Sequence, residues 1–321
     1  MRRKPGSLTV LAGGTGSAKL IRGLAEVIPQ ENLTVIVNVG DNIRLYGLIV
    51  CPDLDTVMYN LAGVADEKRG WGIAGDSFNA QKMLACYGLE TWFNLGDRDL
   101  ATHIHRTALL AGGLKLSEAT RLLAEALGVK ARILPASDDW IETVVHTSEG
   151  WMHFQEFWVK RKAEPKVLKV EYQGVEDSKP ADGVVEAISE AEAVILSPAN
   201  PITSIQPILD IPGVRKALGE TEASVLAVSP IVGGSPVSGP AGRLMAGLGL
   251  KVSAYTVAER YRDFLDVFLI DRRDEALKNA IESLKIKCIP TDIIMASRRD
   301  ERTLAEFIIK TLRAEGASTS A

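Results

Sequence analysis

Near its amino end the chain reads Leu8-Thr-Val-Leu-Ala12, then Gly13-Gly-Thr-Gly-Ser-Ala-Lys19, and then Leu33-Thr-Val-Ile-Val-Asn38. Both apolar runs are short and end in turn residues, which is typical of buried parallel strands. The residues between them follow a helical pattern as far as Pro29. Strand, glycine-rich turn, helix and strand make a βαβ unit. The sequence therefore predicts an α/β fold with a Rossmann-like, mostly parallel sheet and helices on both faces.

The same alternation resumes in the second half of the chain. Further predicted strands are 193–196, 223–228, 252–255, 266–270 and 286–288. Between the two halves, 117–127 is an amphipathic helix and 141–159 is a hairpin that turns at 147–150. These two elements predict a small helical and β-hairpin elaboration over about residues 90–172. We expect a flexible tail at 1–7, one domain over 8–313 and a disordered tail at 314–321.

Composition limits the classes of function. The 321 residues are 46% hydrophobic with a formal net charge of −4, so a full core is possible and no basic surface indicates nucleic acid. No apolar run is long enough for a membrane span, and no signal peptide follows the basic start. Cys51, Cys86 and Cys288 lie far apart without zinc spacing. We expect a soluble, cytoplasmic protein that binds neither nucleic acid nor membrane.

The glycine-rich turn is a candidate phosphate site. Glycines allow close approach of the backbone to a phosphate, and a helix amino terminus adds free N–H groups and partial positive charge. The candidates are Gly13, Gly14, Thr15, Gly16 and Ser17, with Lys19 as a point charge. The spacing matches neither the full dinucleotide fingerprint nor the kinase-type phosphate loop, and a tight turn without a ligand is the alternative.

A second candidate site lies between Asn38 and Asp55, where Asp41, Asp53 and Asp55 follow a buried strand. Close-set carboxylates repel each other unless a cation or proton joins them, so a metal site is one interpretation. Pro52 is expected to block a helix there, with a helix opening near Thr56 instead. The alternative is a solvated acidic loop.

Residues 95–106 form a third charged group. If a helix begins near Asp97, then Asp99, His103 and Arg106 share one face, which suits a phosphate or the polar edge of a ring. Ion pairs along a solvated helix would look the same. Trp71, between glycines, is either a stacking platform for a planar ring or a loop anchor.

Long polar loops follow the strands at 193–196 and 223–228, which places Asn200, Ser204, Ser229 and Gly234 near the same edge of the sheet as the first glycines. In the hairpin, strand alternation puts His153, Gln155 and Phe157 on one face. Phe154, Glu156 and Trp158 would then lie on the other face. At least one aromatic face needs cover, from a subunit interface or from a lid.

Six stretches together resemble one family. They are Gly13-Gly-Thr-Gly-Ser-Ala-Lys-Leu20, Val37-Asn-Val-Gly-Asp41, Pro52-Asp-Leu-Asp-Thr-Val57, Leu95-Gly-Asp-Arg-Asp-Leu-Ala-Thr-His103, Ser197-Pro-Ala-Asn-Pro-Ile-Thr-Ser-Ile205 and Ser229-Pro-Ile-Val-Gly-Gly234. In this order they resemble the 2-phospho-L-lactate transferases of coenzyme F420 biosynthesis. The resemblance implies transfer of a phospholactyl group from lactyl-2-diphospho-5′-guanosine to the deazaflavin Fo, giving F420-0 and GMP with Mg²⁺.

The resemblance also implies roles for residues. Gly13 to Ser17 would cradle donor phosphate, Asp53 and Asp55 would hold Mg²⁺ and orient the Fo hydroxyl, and Asp41 would join the metal. His103 would act in catalysis. The remaining substrate contacts would come from Lys19, Asn38, Arg106, Asn200, Thr203, Ser204 and Ser229.

Other interpretations remain open. Some bacterial members use a phosphoenolpyruvyl donor, and a related branch contains nucleotide-sugar-binding regulators. A nicotinamide oxidoreductase is the generic alternative for a first βαβ unit, and a purely structural role is a fourth. Many members carry paired acids where this chain has Asp41-Asn42, and many bacterial members carry lysine at Ser238. The resemblance and the aromatic hairpin predict a homodimer.

Overall fold

The structure is a computed structural model that describes residues 6–318, with side chains described through Glu315. Its strands are β1 (Leu8–Ala12), β2 (Leu33–Val37), β3 (Ile43–Leu45), β4 (Leu48–Val50), β5 (Arg132–Pro135), β6 (Glu142–Thr147), β7 (Gly150–His153), β8 (Val167–Gln173), β9 (Ala193–Leu196), β10 (Ser224–Val228), β11 (Ile231–Val232), β12 (Ser235–Pro236), β13 (Val267–Asp271) and β14 (Lys287–Thr291).

Its α-helices are α1 (Gly14–Val27), α2 (Pro52–Leu61), α3 (Asn79–Cys86), α4 (Asp97–Ala111), α5 (Leu116–Ala126), α6 (Val184–Ser189), α7 (Gln206–Asp210), α8 (Val214–Glu220), α9 (Ala241–Gly247), α10 (Ala254–Tyr261), α11 (Lys278–Glu282) and α12 (Arg298–Ser318). Short 3-10 turns occupy Gln30–Asn32 and Arg272–Leu277, and π-helical turns occupy Glu156–Lys160 and Pro201–Ile205.

Within the described residues, seven parallel strands form the central sheet in the order β14-β13-β10-β9-β1-β2-β5. Every residue of β1, β9 and β13 is buried, as expected for strands covered on both faces. In β1, Leu8 lies opposite Leu33 of β2 on one side and opposite Ala193 of β9 on the other. The Rossmann-like α/β prediction is confirmed.

The direction of strand addition reverses at β1. From there the chain adds β2 and β5 on one side, and then β9, β10, β13 and β14 on the other. Adjacent loops therefore leave the carboxyl ends of β1 and β9 in opposite directions. Such a switch point opens a crevice, which is where open α/β sheets bind their ligands.

The elaboration contains a three-stranded antiparallel sheet in the order β7-β6-β8. The predicted turn at 147–150 is present, but the second strand ends at His153 and the chain then turns helically. The predicted alternation of faces is therefore wrong beyond His153. Phe154 and Phe157 are both buried and their ring centroids lie 6.5 Å apart. Burying both rings on the same side accounts for the helical turn, because a strand would separate them.

Two other predictions differ from the structure. Residues 252–255 form no strand, because Ser253 caps α10 by accepting a hydrogen bond from the Thr256 N–H. Helix α12 continues to Ser318, into the segment predicted as a disordered tail. Residues 319–321 and most of the predicted amino-terminal tail lie outside the described residues. No helix in the described part of the chain is long and apolar enough to cross a membrane.

Candidate functional site

A cavity of about 690 Å³ lies at the switch point of the sheet. Loops that follow four neighbouring strands line it: Gly13–Gly16 after β1, Asp41 after β2, Pro198–Ser204 after β9 and Ser229–Pro230 after β10. The first turn of α2 and one face of α4 complete the wall. The cavity therefore gathers most of the candidate residues named from the sequence.

The glycine-rich turn is shaped by close packing. A Cβ on Gly13 would lie 2.6 Å from the Ser204 Cβ and 2.8 Å from Asp53 Oδ2. A Cβ on Gly16 would lie 2.7 Å from the Pro198 carbonyl oxygen. Ser17 is fully buried behind the turn, where its hydroxyl contacts the Gly13 backbone and lies 2.7 Å from the Ser197 hydroxyl. Ser17 thus supports the turn and does not line the cavity.

Asp53 and Asp55 belong to the first turn of α2, which begins at Pro52. The prediction that Pro52 blocks a helix is wrong, because proline is well suited to the first helical position, where its missing N–H would have no partner. Both carboxylates lie where the helix dipole favours negative charge. The helical geometry also turns Asp53 toward the glycine turn and Asp55 toward α4.

Asp53 is buried and accepts two hydrogen bonds. The Gly14 N–H donates to Oδ1 at 2.7 Å, and the Asn38 side-chain amide donates to Oδ2 at 2.9 Å. Burial raises the pKa of Asp53 to about 6, although both hydrogen bonds act in the opposite direction. Asn38 also donates to the Thr203 carbonyl oxygen. Asn38 therefore joins the loops after β2 and β9 and lies behind the cavity wall.

Asp41 is held by the elaboration. Its backbone carbonyl accepts a hydrogen bond from the Gln155 side chain, and His153 Nε2 lies 3.0 Å from the Asn42 carbonyl oxygen. The Thr143 N–H donates to the Gly40 carbonyl. The hairpin thus buttresses the acidic loop, a role that the sequence did not suggest. Burial, together with the charge of Asp53, raises the pKa of Asp41.

Asp55 is bound by Arg106, which is fully buried. One guanidinium nitrogen donates to Asp55 Oδ2 at 3.0 Å, and the other donates to Asp55 Oδ1. Asp55 lines the cavity and Arg106 does not. Arg106 was predicted to contact the substrate, but the structure places it behind Asp55.

The predicted face of α4 is present and buried. His103 Nε2 lies 3.3 Å from Asp99 Oδ1, and the Tyr59 hydroxyl donates to the same oxygen at 2.7 Å. Burial would raise the pKa of Asp99, but the neighbouring His103 ring and the hydrogen bond from Tyr59 outweigh it and lower the pKa. Asp99, His103 and Tyr59 all line the cavity. The alternative of ion pairs on a solvated helix is therefore wrong.

The loop after β9 presents polar atoms to the cavity. Asn200 caps the turn that follows it by accepting a hydrogen bond from the Ile202 N–H. Its amide nitrogen and the Thr203 hydroxyl are buried and have no hydrogen-bond partner among the described residues. Two unpartnered polar atoms beside a cavity fit contact with a ligand. Ser204 and Ser229 also line the cavity.

Three basic residues also line the cavity; one of them is hydrogen-bonded within the protein, and two were not predicted from the sequence. Lys19 lines the cavity, but its ammonium donates to the Met295 carbonyl oxygen at 3.0 Å. Lys68 and Arg69 also line it and were not singled out in the sequence. Their position beside Trp71, in a glycine-rich loop after α2, was the available signal.

Aromatic side chains also line the cavity. They are Tyr59, Trp71, Phe93, Phe154 and Trp158. Trp71 makes an edge contact with Phe78 and has the Arg69 guanidinium over its ring, so it anchors its loop, and at 37% exposure it keeps part of its ring faces accessible. Planar ligands stack on such faces.

The carboxylates differ in how well they fit a cation. Across residues 6–318, no three histidine, cysteine, aspartate or glutamate side chains converge as a metal cluster. The predicted shell of Asp41, Asp53 and Asp55 stays a prediction, and Arg106 already neutralises Asp55. Asp41 Oδ1 is buried without a hydrogen-bond partner in the described part of the chain. Asp41 and Asp53, both with raised pKa values, fit a hard cation better than Asp55 does.

The fold and the cavity define a doubly wound α/β protein whose site lies at the switch point of its sheet. The chain belongs to the 2-phospho-L-lactate transferase CofD family, whose model matches residues 8–305. The resemblance drawn from the sequence is confirmed, and the chain is a transferase.

Individual relatives agree with this assignment. A 2-phospho-L-lactate transferase of Methanosarcina acetivorans is 46% identical over 94% of this chain and 98% of its own length. A phosphoenolpyruvate transferase of Streptomyces griseus subsp. griseus is 43% identical over 90% of this chain and 92% of its own length. A crystal structure of a UPF0052-family protein from Bacillus halodurans has a TM-score of 0.62 at 18% identity. The match covers 96% of this chain and 99% of the Bacillus halodurans chain.

Proposed function

We propose that this transferase moves the phospholactyl group of lactyl-2-diphospho-5′-guanosine to a hydroxyl of the deazaflavin Fo, with Mg²⁺, forming F420-0 and GMP. The observation that carries the proposal is the joint lining of one cavity. It brings a glycine-rich helix terminus, buried carboxylates and exposed aromatic faces into a single space. A diphosphate donor and a planar acceptor need those three features together.

The transfer needs one bond to form and one to break. The acceptor hydroxyl oxygen bonds to the phosphorus that carries lactate, and the bond from that phosphorus to the GMP oxygen breaks. GMP leaves with the bonding electron pair, and the hydroxyl proton passes to a carboxylate of the site. Phosphoryl transfer of this kind depends mainly on alignment and neutralisation of charge.

The residues divide between these tasks. The backbone N–H groups of Thr15 and Gly16, in the first turn of α1, bind donor phosphate, and Lys19 and Arg69 add positive charge nearby. Asp41 and Asp53 would hold Mg²⁺, which supplies neutralising charge for phosphate oxygens. Asp55 orients the acceptor hydroxyl.

Other residues of the cavity supply the remaining contacts. Asn200 and Thr203 offer unpartnered polar atoms to the nucleotide. Trp71 stacks on the acceptor ring. His103, in contact with both Asp99 and Asp55, fixes the polar end of the acceptor.

The phosphoenolpyruvyl donor is the second candidate, favoured by the 43% identity to the Streptomyces griseus relative of that name. The two donors differ at one small group, so the choice depends on pocket shape around that group.

The decisive experiment supplies purified protein with Mg²⁺, Fo and each donor in turn. GMP release is measured by chromatography and the deazaflavin product by mass spectrometry. F420-0 supports the lactyl donor, and its dehydro form supports the enolpyruvyl donor. Absence of product with both donors, together with tight binding of a nucleotide sugar, would favour the regulatory branch of the superfamily.

We also propose that the protein is a homodimer. The proposal rests on the family and on the aromatic hairpin, where Trp151 and Trp158 are 49% and 40% exposed. Light scattering after size-exclusion chromatography measures the mass in solution, and a monomer at micromolar concentration would contradict this proposal.

A further inference from the structure

Arg106 is the largest of the fully buried side chains in the described residues, and it touches no part of the cavity surface. A buried guanidinium is expensive to desolvate, and buried ion pairs are weak evidence for stability. An apolar residue of similar volume would fill the same space at lower cost. The position of Arg106 therefore requires an explanation other than stability.

The contacts of Arg106 point in one direction. Its terminal nitrogens donate to both oxygens of Asp55, and one of them lies 3.3 Å from His103 Nδ1. Its Nε has no hydrogen-bond partner among the described residues. Asp55 and His103 both line the cavity. Arg106 thus reaches the substrate space only through these two side chains.

Two parallel hydrogen bonds fix the plane of a carboxylate, which a single point charge cannot do. Burial would lower the pKa of Arg106, but the Asp55 carboxylate outweighs burial and raises it, so the guanidinium stays charged. Each Asp55 oxygen can still accept a further hydrogen bond, and the Asp55 side chain lines the cavity. A carboxylate held in this way accepts a hydrogen bond in a fixed direction and competes poorly for a second cation.

We propose that Arg106 is a positioning residue, which orients the Asp55 carboxylate toward the acceptor hydroxyl and separates it from the metal-binding pair Asp41 and Asp53. This inference rests on the proposed function, because it assigns Asp55 a task in that reaction. Arg106 itself contacts neither substrate.

The test is a double-mutant cycle with Asp55→Asn, Arg106→Met and the combined variant. If Arg106 acts through Asp55, each single substitution lowers kcat about 100-fold, as expected for a misplaced group. The combined variant then loses no more than either single one, because the two residues act as a unit. KM for both substrates stays within about threefold of wild type.

Arg106→Lys separates orientation from charge. Lysine keeps the positive charge but lacks the planar fork, so kcat should remain well below wild type. Arg121→Met is the matched control, because Arg121 is exposed and pairs with Glu125 on α5. The combined variant leaves no buried charge unpaired, so it tests the inference even if Arg106→Met alone fails to fold. Circular dichroism and calorimetric GDP binding check the fold of each variant.

Additive losses in the combined variant would overturn the inference, as would wild-type kcat in Arg106→Lys or in a folded Arg106→Met. A wild-type protein that forms no product with either donor would instead overturn the proposed function. The two failures are therefore distinguishable within one set of assays.

Discussion

Replacing Asp53 with asparagine should change how the stability of the protein depends on pH. Burial raises the pKa of Asp53 to about 6, from an ordinary value of 3.8. This difference corresponds to about 3 kcal/mol of unfolding free energy. Between the two values the unfolded chain has lost the proton and the folded chain keeps it. The wild-type protein therefore loses stability as pH rises through this window, and the full loss is present above about pH 6.

The substitution also has a cost that does not depend on pH. Asparagine has one acceptor oxygen, whereas the Gly14 N–H and the Asn38 amide both donate to Asp53. Losing one of these hydrogen bonds costs about 1–3 kcal/mol. The informative quantity is therefore the unfolding free energy of the variant minus that of the wild type. That difference should rise by about 3 kcal/mol between about pH 4 and about pH 8.

Urea unfolding with chelator, followed by circular dichroism across this pH range, measures the difference. Asp41 titrates in both proteins. Removing the charge of Asp53 lowers the pKa of Asp41, so the contribution of Asp41 to the difference in unfolding free energy has the same sign as that of Asp53. Parallel curves for wild type and variant would refute the reasoning, because they would mean that Asp53 ionises without a folding penalty. Adding Mg²⁺ near the alkaline end should stabilise the wild type more than the variant, because a ligand stabilises only the state that binds it.

Three further perturbations test other parts of the site. Gly13→Ala should abolish measurable kcat in steady-state assays, since the new Cβ would lie 2.8 Å from Asp53 Oδ2. Trp71→Ala should raise KM for Fo up to about tenfold through lost stacking, with little change in kcat. His153→Gln should weaken the acid sensitivity of thermal unfolding. Burial lowers the pKa of His153, so the unfolded chain takes up its proton first and stability falls as pH drops below about 6.5.

Each of these has a control or a contrary outcome. Gly219→Ala should keep full kcat, because the nearest atom to its Cβ is 3.9 Å away. Normal kcat in the Gly13 variant would contradict the packing argument, and an unchanged KM would remove Trp71 from the acceptor site. If the His153 variant unfolds with the same pH dependence as wild type, another group carries the acid sensitivity.

The sheet was predictable because its strands are buried on both faces and bounded by turn residues. The bounds of β1 and β9 agree with the sequence prediction residue for residue. The strand prediction at 252–255 was wrong because a run of four residues does not distinguish a strand from a capped helix. Ser253 caps α10, and this cap favours the helix over the strand. The predicted alternation of faces was wrong beyond His153, because the packing of Phe154 and Phe157 outweighs strand alternation.

The sequence predicted many of the residues that line the cavity, but not how their side chains pair. Asp53, Asp55 and His103 all line the cavity as expected. However, the sequence could not show that Arg106, 51 positions after Asp55, takes both oxygens of that carboxylate. A long-range partner of this kind depends on how α4 packs against α2. Local patterns carry no information on that packing.

The pairing of β1 with β9 has a consequence for how the chain folds as it is made. Leu8 lies opposite Ala193, so β1 keeps one open edge until about 185 more residues have been synthesised. At typical ribosome speeds this takes about 10–40 seconds. During that time the largely apolar edge of β1, which is buried in the finished domain, is available to other chains. Newly made protein should therefore depend on chaperones for its yield, even though the finished domain is well packed.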